Sequence, residues 1–146
     1  MTYFDTAYIA KCYLPEPGSE QVQELARSAE NGLCCSEWGR IELCSVFHRH
    51  LQEGRIDRGN LKDILSVFHA DEAAGVWTWF PVGSSLLRSV ADTFIEMPDN
   101  LFLRAGDALH LRSAAAYGLN KIYTSDRHLL AAADRFGIIG MNILEQ

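Results

Sequence analysis

The sequence predicts an α/β fold in which a parallel sheet is sandwiched by helices, and three observations predict it. Short strand-like segments alternate with stretches of helical periodicity along the chain, the pattern of a parallel sheet whose crossovers cover both faces. The 146 residues suit one domain, spanning 1–146, and leave little room for a second core. Hydrophobic residues make up 48% and charged residues 22%, a soluble globular profile without repeats or low-complexity stretches. The Pro and Gly punctuation at Pro15-Glu16-Pro17-Gly18, Gly54, Gly59 and Pro81 separates elements rather than domains.

Residues 2–5 read as a short strand running straight into a helix over 6–14, which Pro15 stops because it lacks an N–H. Ser19 offers the next cap, and Val22, Leu25, Ala26 and Ala29 form an amphipathic stripe that Asn31-Gly32 ends. Residues 33–35 are a short buried-strand candidate. Ser36 follows as N-cap of a helix to about Leu51, with Gly54 just beyond. Asp57 can cap the helix carrying Leu61, Ile64, Leu65 and Phe68, which Gly75 closes, and residues 76–82 alternate as a strand. Ser84 or Ser85 opens a helix carrying Leu86, Leu87, Val90, Ala91 and Phe94, broken at Met97-Pro98. A helix over about 103–117 stops at Gly118. The pattern then closes with a strand at 121–125, a helix at 126–136 capped by Gly137, and a last strand at 138–144.

Thirteen Lys and Arg against 19 Asp and Glu give a formal charge of −6, so the chain lacks the positive field by which many nucleic-acid binders hold phosphates. No apolar run reaches the roughly 18 residues of a membrane helix, and the start Met1-Thr2-Tyr3-Phe4-Asp5 is unlike a signal peptide, so no membrane association and a cytoplasmic location are expected. Cys12, Cys34, Cys35 and Cys44 contain no C-x-x-C pair; thiolate zinc is disfavoured, and reduced, largely buried thiols are expected. His48 and His50 point to different sides of a helix and read as surface residues.

Four carboxylates stand in positions that matter. Asp5 and Asp126 each sit where a strand meets a helix, the edge at which parallel sheets bind ligands; the competing role for both is a helix N-cap. Glu42 has Trp38, Ile41, Ser45 and Val46 as helical neighbours, so its face is mostly apolar and its charge needs a partner, either in a site or as a salt bridge to Arg49 or Arg40. Asp107 lies in the first turn of a helix, where the helix dipole alone would favour it.

Four pieces carry a family likeness: Tyr3-Phe4-Asp5-Thr6-Ala7-Tyr8-Ile9-Ala10-Lys11 with Leu14-Pro15-Glu16, residues 36–42, residues 103–111, and Tyr123-Thr124-Ser125-Asp126-Arg127 through the Ala-rich run to Gly137. In this order and spacing the chain resembles PIN-domain ribonucleases, specifically the VapC-type toxins of bacterial toxin–antitoxin pairs. The resemblance implies a PIN-like three-layer α/β/α fold, an endoribonuclease with an RNA substrate, a cognate VapB-like antitoxin and a homodimer. It matches Asp5, Glu42, Asp107 and Asp126 to the family's acidic quartet, and Thr124 to the small hydroxyl residue before the last acid. The run Trp77-Thr78-Trp79-Phe80 and the Cys34-Cys35 strand depart from the pattern.

Four converging carboxylates cannot stay ionised in a shielded cleft without cations. All-oxygen ligation favours Mg²⁺, or Mn²⁺, with Asp5 and Asp107 as direct ligands and Glu42 and Asp126 completing the site through metal or water. Such a metal would activate the attacking water. Thr6, Thr124 and Ser125 are supporting candidates that would orient water or phosphate, the competing role being to satisfy backbone groups. His110 could hydrogen-bond Asp107 or simply be packed. Lys11, Arg40, Arg104 and Arg127 could grip RNA or be solvated surface charge. Trp77 and Trp79 are expected in a core or a dimer interface. Two other functions stay open. One is a haloacid-dehalogenase-like phosphohydrolase with Asp5 as nucleophile, although Asp5-Thr6-Ala7 lacks the second Asp of such sites; the other is a non-catalytic PIN-like binding module.

Overall fold

The structure, a computed structural model describing residues 1–145, is built on a five-stranded, all-parallel sheet. Its strands are β1 (Thr2–Phe4), β2 (Leu33–Ser36), β3 (Trp77–Phe80), β4 (Lys121–Tyr123) and β5 (Ile139–Met141), in the order β3-β2-β1-β4-β5. The helices are α1 (Thr6–Tyr13), α2 (Ser19–Arg27), α3 (Glu37–Gln52), α4 (Arg58–Ala73), α5 (Ser84–Glu96), α6 (Ala105–Ala116) and α7 (Arg127–Ala132). The three-layer α/β/α arrangement expected from the sequence is therefore present.

The central strand β1 explains the layering. Tyr3 and Phe4 point to opposite faces and neither is exposed. Phe4 packs edge-on against Tyr8 of α1, whereas Tyr3 packs edge-on against His110 of α6. Helix α1 also contacts α2, α3 and α4, and α6 contacts α5, α7 and α3. Helix α3 thus touches elements of both helical layers.

The chain leaves β1 toward β2 and β3, then returns to the other side for β4 and β5. The strand order reverses between β1 and β4, and in such sheets the crevice at the carboxyl ends of those strands receives ligands. Asp5 N still donates to Tyr123 O at 3.1 Å, so the two strand ends stay joined up to the point where their following residues diverge into helices.

Several sequence expectations need correction. Strand β3 stops at Phe80 because Pro81 has no N–H to continue the ladder, and β5 stops at Met141 because Asn142 Oδ1 folds back to accept from Leu144 N. The helix expected over 126–136 is α7 followed by a 3₁₀ turn, Ala133–Phe136. Ser19 is not a cap: Gly18 holds that position, and Ser19 Oγ donates to Leu14 O. Ser36 is the N-cap of α3 and Ser84 opens α5, both as expected, although neither Ser36 nor Gly83, the N-cap of α5, makes a side-chain capping bond. Asp57 does cap, in a reciprocal pair with Asn60. His50 is buried and bonded to Val46 O, and Cys44 is exposed, both against expectation. Trp77 is buried and stacks on half-buried Trp79 with centroids 5.8 Å apart.

The close approach of α3 to the sheet depends on Gly39, where an added Cβ would lie 2.3 Å from Cys35 Sγ. Overpacking of this kind costs about 1–3 kcal/mol, against roughly 1 kcal/mol that Ala gains over Gly within a helix. Gly39→Ala is therefore expected to destabilise the protein in urea titrations. The pair Cys35→Ala with Gly39→Ala, which removes the sulfur, should be at least as stable as Cys35→Ala alone. A neutral Gly39→Ala would show that α3 is not pinned at this contact.

Candidate active site

Asp5 follows β1 directly and caps α1, its Oδ1 accepting from Tyr8 N at 2.9 Å. Its other oxygen accepts from the buried Thr124 hydroxyl. Asp126 repeats the arrangement after β4: its Oδ1 accepts from His128 N at 2.8 Å and Leu129 N at 3.1 Å. Thr124 Oγ1 in turn accepts from Asp126 N at 2.9 Å, so one hydroxyl ties the two strand ends together. Both aspartates are caps, as the simplest sequence account held, and both also face the same crevice.

Helix α3 supplies Glu42 and helix α6 supplies Asp107, which is buried in the first turn. Glu42 Oε1 accepts from Thr6 Oγ1 at 2.9 Å and lies 2.6 Å from His110 Nε2. Both contacts fall on Oε1. The expected salt bridge of Glu42 to Arg49 or Arg40 does not form, because His110 and Thr6 reach the carboxylate first; Arg40 pairs instead with Glu37 and Glu72. His110 does not serve Asp107 as considered above. Its Nδ1 lies 2.9 Å from Tyr3 Oη, which also accepts from Ser36 N, so its ring is fixed by β1 on one side and presented to Glu42 on the other. Gly106 keeps α6 close to this group: an added Cβ would sit 3.0 Å from Trp38 Nε1 and 3.1 Å from Glu42 Oε2.

These residues line one cavity of about 430 Å³, which brings together Asp5, Thr6, Glu42, Asp107 and Asp126 with His110, Arg104, Arg49, Trp38 and Ile41. Thr124 lies buried beneath it, and half-buried Ser125 does not line it. Of the four basic residues considered above, only Arg104 reaches the acids. Lys11 pairs with Glu16, and Arg127 lies on the exposed surface. Arg49 was singled out in the sequence only as a partner for Glu42, and it enters the cavity wall without that bond. A second groove of about 460 Å³ contains one carboxylate, Asp71, and Tyr13 Oη donates to it at 2.7 Å, so it holds no comparable cluster.

Electrostatics separate the acids. Burial pushes the Asp5 carboxyl from 3.8 up to about 6, against the pull of the Thr124 and Tyr8 hydrogen bonds. Burial also opposes ionisation of Glu42, but the His110 hydrogen bond and charge, with Thr6 and Trp38, outweigh it and hold Glu42 below its ordinary value. Burial likewise opposes a charge on His110, and Tyr3, Cys35 and Glu42 overcome it, raising His110. In either protonation state Nε2–H is the donor to Glu42.

The donor set fits a hard divalent cation: four carboxylates around one cavity, one of them desolvated. Among the described residues, no three carboxylate, His or Cys groups yet stand close enough together to hold an ion. Arg104 donates to Asp107 Oδ2 at 2.9 Å and to Asp126 Oδ2 at 2.5 Å, while Glu42 is drawn toward His110.

Comparison with known proteins places this arrangement. The family model described as PIN domain matches residues 2–135. Among solved structures, VapC20 of Mycobacterium tuberculosis, described as a sarcin-ricin loop cleaving toxin, superposes with a TM-score of 0.72 at 15% identity, over 90% of this chain and 95% of that one. VapBC2 of Rickettsia felis, solved with a DNA fragment from its promoter, gives a TM-score of 0.64 at 15% identity over 97% and 98% of the two chains. These likenesses concern the fold. No curated protein matches the chain in sequence.

The Asp5 shift carries a sign that can be measured in metal-chelated buffer. Between about pH 4 and 6 the folded state binds the proton more tightly than the unfolded one, so this group's stabilisation is present below that window and is lost as pH rises through about 6. Asp5→Asn keeps the cap and removes the charge. It should be more stable than the unaltered protein at pH 7, by up to about 3 kcal/mol, with the gap closing near pH 4. A gap that does not change with pH would mean that Asp5 is not held as a desolvated acid.

Proposed function

The chain belongs to the PIN-domain family, and from that membership we propose that it is a metal-dependent endoribonuclease, the toxin of a type II toxin–antitoxin pair, with residues 1–146 acting as one domain. The observation that carries this is the gathering of Asp5, Glu42, Asp107 and Asp126 around one cavity at the switch point of the sheet. Asp5 and Asp107 would hold Mg²⁺, or Mn²⁺, directly, and Glu42 and Asp126 would complete the site through metal or water. When bound, the metal supplies a water of lowered pKa and neutralises charge on the phosphodiester.

The protein's own groups do the positioning. Tyr8 N and Thr124 Oγ1 hold Asp5, and the backbone of α7 holds Asp126. His110 and Thr6 fix Glu42 through Oε1, leaving Oε2 toward Gly106. Glu42 and Asp126 would orient the attacking water by accepting its hydrogen bonds. Thr6 and Thr124 act in support through their bonds to Glu42 and Asp5, whereas Ser125, which does not line the cavity, has no such contact among the described residues. Trp38 and Ile41 are exposed apolar groups of the cavity wall.

The biological setting follows from charge. A chain of net charge −6 with an acidic cavity favours a cationic partner, so a VapB-like antitoxin would lay a basic segment over the four acids. No helix among the described residues is long and apolar enough to cross a membrane, and a cytoplasmic setting belongs to the same proposal. So does a homodimer, for which the exposed Leu87, Phe94 and Ile95 of α5 offer apolar surface.

One observation favours a second account: Asp5 and Asp126 are bonded as caps and Asp107 is paired to Arg104, as they would be in a non-catalytic module. RNA cleavage by the chain freed of any partner decides between them. Cleavage is expected with Mg²⁺ or Mn²⁺ and is abolished by chelator. Asp107→Asn, which leaves the fold's caps intact, should lower it by at least about a hundredfold. Undiminished cleavage in excess EDTA, or an Asp107→Asn protein as active as its parent, would refute the metal-dependent mechanism.

A further inference from the structure

Arg104 occupies the part of this site where a cation would be held. Its Nε bonds Asp107 Oδ2 and its Nη2 bonds Asp126 Oδ2, so one planar guanidinium spans two of the four carboxylates. Arg104 is the N-cap residue of α6 yet makes no side-chain capping bond, and its side chain is 59% exposed. Neither capping nor packing accounts for where its head group lies. The acids do. Arg49 lines the same cavity and, among the described residues, forms no ion pair with them.

We propose that Arg104 is a resident counter-ion, which neutralises Asp107 and Asp126 in the metal-free protein and leaves them when a divalent cation binds. The inference rests on the metal-dependent function above and adds a competition to it. A guanidinium bonded to these two carboxylates opposes a divalent cation at the same place, because the two positive charges repel and the guanidinium already offsets the charge that would attract the ion. Arg104 is long, flexible and open to solvent, so it can swing to the rim without disturbing the core. Until it does, its charge offsets those of Asp107 and Asp126, and the site is stable without metal. The metal affinity of the protein is correspondingly lowered, which sets a threshold concentration for activity.

The test titrates the intact chain with Mn²⁺ at low ionic strength, reading free Mn²⁺ by its electron paramagnetic resonance signal. R104Q removes the competing charge and should bind Mn²⁺ about tenfold more tightly than the unaltered protein, two partly exposed ion pairs no longer having to be broken. R104K keeps the charge but loses the planar fork, so its affinity should fall between the two. R49Q removes the same charge from the same cavity without touching the acids, and should bind as the parent does. Equal or weaker binding by R104Q would overturn the proposal, as would an equal gain in R49Q, which would reduce the effect to a general field. Thermal melts check that each variant is folded. RNA cleavage across the same Mn²⁺ series separates the two levels. An unaltered protein that binds and cleaves while R104Q binds no more tightly sinks the counter-ion alone, whereas a protein that neither binds Mn²⁺ nor cleaves sinks the nuclease as well.

Discussion

Four carboxylates that share one cavity repel one another, and the structure around them is arranged to hold that charge out of bulk water. Each is met by a different device. Backbone N–H groups at the starts of α1 and α7 receive Asp5 and Asp126, a buried imidazole and a hydroxyl receive Glu42, and a guanidinium bridges Asp107 to Asp126. Asp5 accepts two hydrogen bonds but forms no ion pair among the described residues, and burial outweighs those bonds in its titration. Glu42 is also buried, but the His110 hydrogen bond and charge keep it ionised.

Sheet topology makes this crowding possible. Because β1 and β4 are neighbours at the reversal of strand order, the residues that follow them emerge side by side. Thr124 then links them, its hydroxyl donating to the Asp5 carboxylate and accepting from the backbone N of Asp126. The other two acids arrive on helices, and each needs a glycine to come close. Gly39 lets α3 settle on β2 next to Cys35, and Gly106 leaves room between α6 and the Glu42 carboxylate. Tyr3 completes the frame: its hydroxyl takes the Ser36 N–H and holds His110, so the central strand orients the group that orients Glu42.

The order and type of elements were legible in the sequence because periodicity and punctuation are local: helix stops at Pro15, Gly75 and Gly118 follow from backbone constraints alone. Strand ends were less legible, since a ladder ends where its partner ends, and the partner is distant in sequence. Glu42 could be picked out because its helical neighbours are mostly apolar, Asp5 and Asp126 because each stands where a strand meets a helix, and Asp107 only through the family resemblance. Their partners could not. That His110 serves Glu42 rather than Asp107, and that Arg104 alone of the four basic candidates reaches the acids, depends on how α3 and α6 are placed relative to each other, which no local pattern encodes. Ser36 marks the limit of cap prediction: it stands at the expected position, but its hydroxyl is buried without a partner.

For Asp5 and Asp126 the sequence posed a choice between helix cap and functional acid, and the geometry removes the choice. A carboxylate has two oxygens. In each case Oδ1 is committed to backbone N–H groups at the start of a helix, which fixes the side-chain torsions and aims Oδ2 back across the switch point, toward Thr124 in one case and Arg104 in the other. Glu42 divides its oxygens in the same way, with Oε1 held by Thr6 and His110 and Oε2 left toward Gly106. The bonds that satisfy the fold thus restrict the rotamers of the acids, and restricted acids need less reorganisation when charge arrives between them. It follows that loss of an N-cap bond and loss of a site acid are separable changes at one residue: Asn keeps the first and removes the second, whereas Ala removes both.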